Sequence, residues 1–438
     1  VRLIENVLER ARAVQELTGP SLDALLTDAA EDKALADATR YAKGRYEVGL
    51  PHYTSVIQQI GISQGESVVD LGCGAGHWCI AACLAGAGQA VGVELRREFV
   101  TVARLMASAA ALEDKARFVV GDCCATGLPR ESFTLAYSHS VMQYLNEELV
   151  VREASRLLEV GGRFYGGYTS VGLRFDMTQR SLAARDSKTA AANLGTVLGT
   201  GLYDLAISNT KWSRMRCLER GKLSSLTGVY GFEIVATPGL QDGAKMFGAM
   251  ECTIDFIASK ARNYEDQLAQ TCADANGSRD RGIAAVRGLI RSGAAHAALD
   301  LIPRLGLETE VDLVAHAAVK AGRIKEFSAQ CKVANDPFVA SLVACEQWHF
   351  AEAASILEPL AGENGDAGFV MAYCLAAVGR YREAEARFRR NWGRDRRLRD
   401  LSGLLISRLL DGGPEAADRE FAVVLPDLKR LGTAPLPL

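Results

Sequence analysis

The run Ser67-Val68-Val69-Asp70-Leu71-Gly72-Cys73-Gly74-Ala75-Gly76-His77-Trp78 constrains the fold of this chain more than any other. Val68 and Val69 are a short apolar run that reads as a buried strand, Asp70 closes it, and glycines alternate through a tight turn. An apolar segment from about Trp78 to Leu84 then reads as a helix packed back on the strand. Glycine is needed where backbone must approach a ligand closely or take a positive φ, and a helix N-terminus offers free N–H donors and a positive dipole end. Strand, glycine turn and helix together build a nucleotide-type cofactor site.

Spacing separates the possible cofactors. A dinucleotide loop runs G-x-G-x-x-G/A, its third glycine letting the helix press against the strand. Here His77 stands at that position and the glycines run G-x-G-x-G. Asp70 would repel a pyrophosphate but suits a cation, such as the amino group of a methionine moiety beside a sulfonium. The alternative is a glycine-rich turn with no ligand. The pattern resembles motif I of the class I S-adenosylmethionine (SAM)-dependent methyltransferases.

Downstream segments extend the resemblance. Ala90-Val91-Gly92-Val93-Glu94 is a short apolar strand ending in an acid 18 residues beyond Gly76. A carboxylate there can accept from two ribose hydroxyls, in a NAD site as well as a SAM site. Ala116–Cys123 (ARFVVGDC) resembles motif III, which implies Asp122 for the adenine amine and the Cys123 backbone N–H for a ring nitrogen. Redox sensing by Cys123-Cys124 is the competing reading of that pair. Phe133–Leu145 (FTLAYSHSVMQYL) resembles the fourth-strand motif of small-molecule methyltransferases, and Leu157–Tyr165 (LLEVGGRFY) the glycine-glycine turn into the fifth strand. Four elements in one order over about 100 residues agree at every level. The resemblance implies an α/β fold, a Rossmann-like seven-stranded, mostly parallel sheet flanked by helices. Phe232–Ala236 and Glu251–Ala258 would be its sixth and its antiparallel seventh strand. The implied cofactor-binding residues are Asp70, Gly72, Gly74, Gly76, Glu94, Leu95, Asp122, Cys123 and Ser138.

Methyl transfer chiefly requires a nucleophile held close to the methyl group, and a neutral hydroxyl must also lose a proton. His139, at the end of the fourth strand, is the candidate catalytic base, with a pocket wall or hydrogen-bond partner as its other reading. Tyr46, Tyr144, Tyr168 and Trp212 are candidate substrate-binding residues, with Gln143 a further pocket candidate. Arg45, Tyr46 and Tyr53 belong either to a lid over the site or to an interdomain connector. The Asn-Pro-Pro-aromatic tetrad of adenine and glutamine methylation is absent, Tyr137-Ser138-His139-Ser140 taking its place. That disfavours nucleobase and amide nitrogen and favours an oxygen acceptor, with amine or carbon acceptors next.

At 438 residues the chain is long enough for two or three domains. An N-terminal helical segment covers 1–40, with a break expected at Gly19-Pro20 and a second helix capped by Ser21. The methyltransferase domain covers 41–262, with a helix before the first strand at Val56–Ile62. Its insertion at 171–226 reads as a helical substrate cap, an oligomer contact being the rival. Residues 263–438 are Ala/Leu/Arg-rich. A register of turn residue, Ala at +5 and apolar residue at +9 recurs as Gly293/Ala298/Ile302, Trp348/Ala353/Leu357, Gly379/Ala384/Phe388 and Gly412/Ala417/Phe421, with a weaker copy at Gly322. The spacing brackets the roughly 34 residues of a tetratricopeptide repeat, which this region resembles. Such a solenoid implies a protein partner or self-association.

Net charge of −3 gives no support for nucleic-acid binding, and no stretch approaches the roughly 20 apolar residues of a membrane span. Eleven cysteines without a C-x-x-C pair point to a reduced, cytoplasmic compartment and to no metal site. The expected function is methyl transfer to a small or carrier-linked acceptor. The alternatives are a protein methyltransferase whose repeats recruit the polypeptide, and a scaffold that binds SAM without catalysis.

Overall fold

The computed structural model describes residues 2–28, 32–205, 207, 215–217, 220–236, 246–248, 250–362 and 364–430. They form two compact units: Val1–Tyr168 with Tyr230–Gly243 and Asp255–Tyr264, and Thr169–Val229 with Ala244–Ile254 and Glu265–Leu438.

The first unit opens with α1 (Arg2–Asp28), α2 (Lys33–Val48) and α3 (Leu50–Gln59). The break expected at Gly19-Pro20 is not there: α1 runs through Pro20. Proline costs a helix one hydrogen bond, but Ala11 and Leu22 on either side are both buried in the core, so packing holds the turn together. Ser21 therefore caps nothing. Asp32 instead caps α2, accepting from the Ala34 and Leu35 amides at 3.0 and 3.1 Å. The helix before the first strand is Leu50–Gln59, ending short of the expected Ile62.

Strands β1 (Ser67–Leu71), β2 (Gln89–Glu94), β3 (Ala116–Val120), β4 (Phe133–His139), β5 (Leu158–Thr169), β6 (Phe232–Ala236) and β7 (Thr253–Lys260) form one sheet in the order β3-β2-β1-β4-β5-β7-β6. β1 pairs in parallel with β2 and β4, β2 with β3 and β4 with β5, while β6 and β7 are antiparallel. The fold is thus the expected mostly parallel, seven-stranded sheet. Helices α4 (His77–Ala85), α5 (Arg97–Ala109) and α6 (Glu147–Leu157) connect its strands. Residues His77–Leu84 of α4 are all buried, which explains why its sequence is apolar all round. The Gly161-Gly162 turn is absorbed into β5: the register with β4 jumps from Phe133↔Leu158 to Leu135↔Arg163. Arg163 then donates to the Ile60 carbonyl at 2.8 Å and pairs with Glu66 at 2.8 Å, tying β5 to the loop that enters β1.

The second unit takes the segment between β5 and β6, with α7 (Val171–Ala183), α8 (Ser187–Asp204) and α9 (Arg220–Val229). With these pack a hairpin of Met246–Phe247 and Met250–Glu251 and the helices that follow Glu265. Ser402 Oγ donates to the Leu194 carbonyl at 2.5 Å, and Phe175 lies 6.4 Å from Phe421, ring to ring. The repeated register has a physical counterpart: Gly293, Gly322, Trp348 and Gly379 all take positive φ between helices, as does Gly413 beside Gly412. The +5 alanines at 298, 353, 384 and 417 are fully buried. Among the described residues no helix is long and apolar enough to cross a membrane, and all eleven cysteines are free thiols.

Candidate functional site

The carboxyl ends of β1, β2 and β4 converge on the glycine loop. Gly72, Gly74 and Gly76 all have positive φ. At Gly76 a Cβ would fall 2.6 Å from the Phe118 ring, and at Gly72 2.5 Å from Val141, so both turn and packing demand glycine. Gly76 is the N-cap of α4, and His77 opens the helix. Asp70, which precedes the loop, is buried, and its side-chain partner among the described residues is the Cys79 thiol, which donates to it at 3.8 Å. Burial, with a smaller push from Glu94, raises its carboxyl to about 8. A buried acid with so weak a partner fits a cationic group brought to it by a ligand.

Glu94, at the end of β2, accepts the Gly74 N–H at 3.1 Å and the Arg96 N–H at 3.0 Å. Each oxygen keeps a lone pair for a further donor. Leu95, next in the chain, is 70% exposed, an apolar side chain held in solvent beside this acid. Asp122 accepts the Cys124 N–H at 2.8 Å. Its carboxylate and the Cys123 and Cys124 thiols offer ligand atoms within 4.8 Å of one another. The Cys123 thiol is pushed up by its hydrogen bond with Cys124 and by burial, which keeps it protonated at pH 7. Ser138 spends its hydroxyl on the Leu71 carbonyl at 3.1 Å, joining β4 to β1. A glycine cradle, a buried acid and an acid at the end of the neighbouring strand fit SAM.

Beside the loop lies an aromatic cluster. Tyr53 stacks 4.5 Å from His77 and 4.7 Å from Trp78, and Trp78 lies 4.6 Å from Tyr137 and 5.4 Å from His139. The His139 and Tyr165 rings are parallel to within 4° at 6.3 Å. Four buried polar atoms here have no hydrogen-bond partner among the described residues: Tyr46 Oη, His77 Nδ1, Tyr137 Oη and Gln143 Oε1. Burial, then the charge of Arg45, lowers His77 to about 3 and His139 to about 4, so both rings are neutral at pH 7. The Nδ1 of neutral His139 lies 3.1 Å from Ser140 Oγ.

Of the substrate candidates, Tyr46 and Tyr168 are buried, Tyr46 at the His77 side and Tyr168 near Phe256. Tyr144 is 54% exposed on a short 3-10 turn, outside the aromatic cluster. Trp212 lies outside the described residues. Sequence reasoning missed Tyr165 and Asp255, whose side chains meet at 2.9 Å. The signal was there for Asp255: an acid in the middle of the apolar strand Thr253–Lys260.

Residues 69–166 match a family described as the methyltransferase domain. A search of curated proteins found no match. Among solved structures, the chain is similar to the geranyl diphosphate C-methyltransferase of Streptomyces coelicolor, at 14% identity over 51% of this chain and 82% of that one, TM-score 0.36. It is also similar to the methyltransferase solved with the Haloferax volcanii Trm112 methyltransferase activator, at 17% identity over 53% of this chain and 99% of that one, TM-score 0.37. A third is a TehB-like SAM-dependent methyltransferase of Corynebacterium glutamicum, at 16% identity over 51% of this chain and 98% of that one, TM-score 0.34. The chain carries a SAM-dependent methyltransferase domain.

Proposed function

We propose that this domain methylates an oxygen of a small or carrier-linked acceptor, with His139 as the base. The observation that carries the reading is the set of buried, uncharged polar atoms in the cluster of His77 and His139 that have no partner among the described residues: Tyr46 Oη, His77 Nδ1, Tyr137 Oη and Gln143 Oε1. Buried polar groups are costly without partners, and these would be satisfied by a neutral, hydroxyl-bearing molecule rather than by an anion. Asp70 would hold the cofactor's ammonium, Glu94 its ribose, and Leu95, Asp122 and the Cys123 N–H its adenine, with Gly72, Gly74, Gly76 and Ser138 shaping the backbone around it. SAM supplies an activated methyl: the acceptor's oxygen pair forms the new bond as the carbon–sulfur pair leaves with sulfur. The protein's part is to hold the hydroxyl in line and take its proton.

We further read residues 41–262 as the methyltransferase domain, 171–226 as its insertion and 263–438 as tetratricopeptide-like repeats that bind a protein partner or a second copy. The test is incubation of the protein with methyl-labelled SAM and fractionated extract, followed by mass spectrometry. Label on an acceptor oxygen, lost in His139→Ala while SAM affinity is kept, is expected. Label on nitrogen, or full turnover in His139→Ala, would overturn the reading.

A further inference from the structure

Strand β5 carries Gly167 opposite His139 of β4. The space its missing side chain leaves is filled from two sides. The point where a Cβ would stand lies 2.2 Å from His139 Cδ2, 2.9 Å from His139 Nε2 and 2.6 Å from Asp255 Oδ1, so the Cδ2–Nε2 edge of the imidazole and the carboxylate crowd one spot. Asp255 is buried, and its Oδ1 also accepts the Tyr165 hydroxyl at 2.9 Å, which fixes the carboxylate in place. On the other edge of the ring, Ser140 takes positive φ, its N–H donates to the Gly167 carbonyl at 2.6 Å, and its Oγ returns to His139 Nδ1 at 3.1 Å. The Ser140 hydroxyl thus lies at Nδ1 and the Asp255 carboxylate on the side of the Cδ2–Nε2 edge, an arrangement served by the tautomer with hydrogen on Nε2 and the Nδ1 lone pair toward Ser140.

We propose that Asp255 is the positioning residue of this site, holding His139 as the Nε2–H tautomer so that Nδ1 is the atom that receives the acceptor's proton, directly or through the Ser140 hydroxyl. The proposal rests on reading His139 as the base. As the acceptor's oxygen pair bonds the methyl carbon and the carbon–sulfur pair leaves with sulfur, the hydroxyl proton goes to Nδ1, and the imidazolium so formed lies beside the Asp255 carboxylate. Tyr165 acts through Asp255, and Gly167 makes the approach sterically possible. The same logic, a carboxylate that fixes tautomer and orientation without itself taking the proton, governs hydroxyl activation by histidine in hydrolases.

The experiment is nitrogen NMR of the full chain with 15N-labelled histidine, which needs no acceptor. The protein has six histidines, and His139→Gln assigns the resonances. In the wild-type chain at pH 7, the pyridine-type nitrogen of His139 is expected to be Nδ1. In Asp255→Asn, the ring is expected to lose that preference and shift toward Nδ1–H, while Ser140→Ala keeps it. SAM affinity by calorimetry is expected to stay within about twofold in each variant, which also certifies that the variants fold. An Nδ1–H tautomer in the wild-type chain would overturn the proposal with no variant needed, and so would an unchanged His139 spectrum in Asp255→Asn. If the tautomer behaves as expected but no methyl reaches an oxygen acceptor, the functional reading fails and the Asp255–His139 arrangement stands.

Discussion

If Asp70 receives the cofactor's ammonium, SAM binding must expel a proton. In the free protein Asp70 is buried, its one side-chain partner among the described residues is the Cys79 thiol, and its carboxyl sits at about 8. In the unfolded chain it titrates near 3.9. The native state thus binds this proton more tightly than the unfolded state. The associated stability is complete below about pH 4, declines as pH rises, and is gone above about pH 8. Four units of pKa correspond to on the order of 5 kcal/mol, comparable with the whole stability of a modest domain. A cation beside the carboxylate reverses the balance and favours the ionised form. At pH 7 about nine in ten free molecules carry the proton, so roughly 0.9 proton is released per SAM bound.

Calorimetry at pH 7 in buffers of different ionisation enthalpy reads that number directly. The apparent affinity is expected to rise roughly 30-fold between pH 5.5 and 7, a range that stays below the titration of an α-amino group. Asp70→Asn is expected to abolish both the proton release and the slope, and to stabilise the free protein at pH 8. Binding without proton release, together with an affinity flat over that range, would refute the placement of the ammonium at Asp70.

Two further outcomes follow from other contacts. Glu94→Gln removes the charge that holds the Gly74 and Arg96 amides, and charge-assisted bonds contribute about 1.5–3 kcal/mol each. SAM affinity measured by calorimetry is expected to fall at least about tenfold, and an unchanged affinity would remove Glu94 from the site. Deleting residues 265–438 strips α8 of Ser402 and of the Arg399 stem that packs against Gly201, exposing Leu194, Leu198 and Leu202. The truncated chain is expected to lose soluble yield and to melt lower; an unchanged melting profile would show the insertion stable without the last helices.

What was legible in the sequence was what is local. The glycine loop declared itself because turn geometry and close packing are specified by neighbouring residues, and the placement of Glu94 and Asp122 because one ends a short strand and the other follows one by two residues. The break at Pro20 was misread because propensity was weighed without the core that Leu22 enters. The polar core of the site was hidden for a different reason. Tyr165 and Asp255 stand 90 residues apart and meet only when β7 inserts beside β5, and Gly167 reads as an ordinary strand glycine until that space is seen to be filled from both sides.

The same distinction bears on the acceptor. Read linearly, 171–226 is an insertion in one domain and 263–438 a separate appendage. In the fold, helices α7 and α8 belong to the same compact unit as the helices after Glu265. Arg399 lies along α8 where Gly201 leaves room for its stem, and reaches Asp366 on the preceding helix pair, so α8 is held by side chains about 200 residues downstream. A close-packed body of this kind does not deform piecemeal: a partner that shifts the last helices must also shift α8, or bind without shifting them. If the insertion helps to choose the acceptor, the C-terminal helices are then part of that choice, since they set the packing of the segment that makes it.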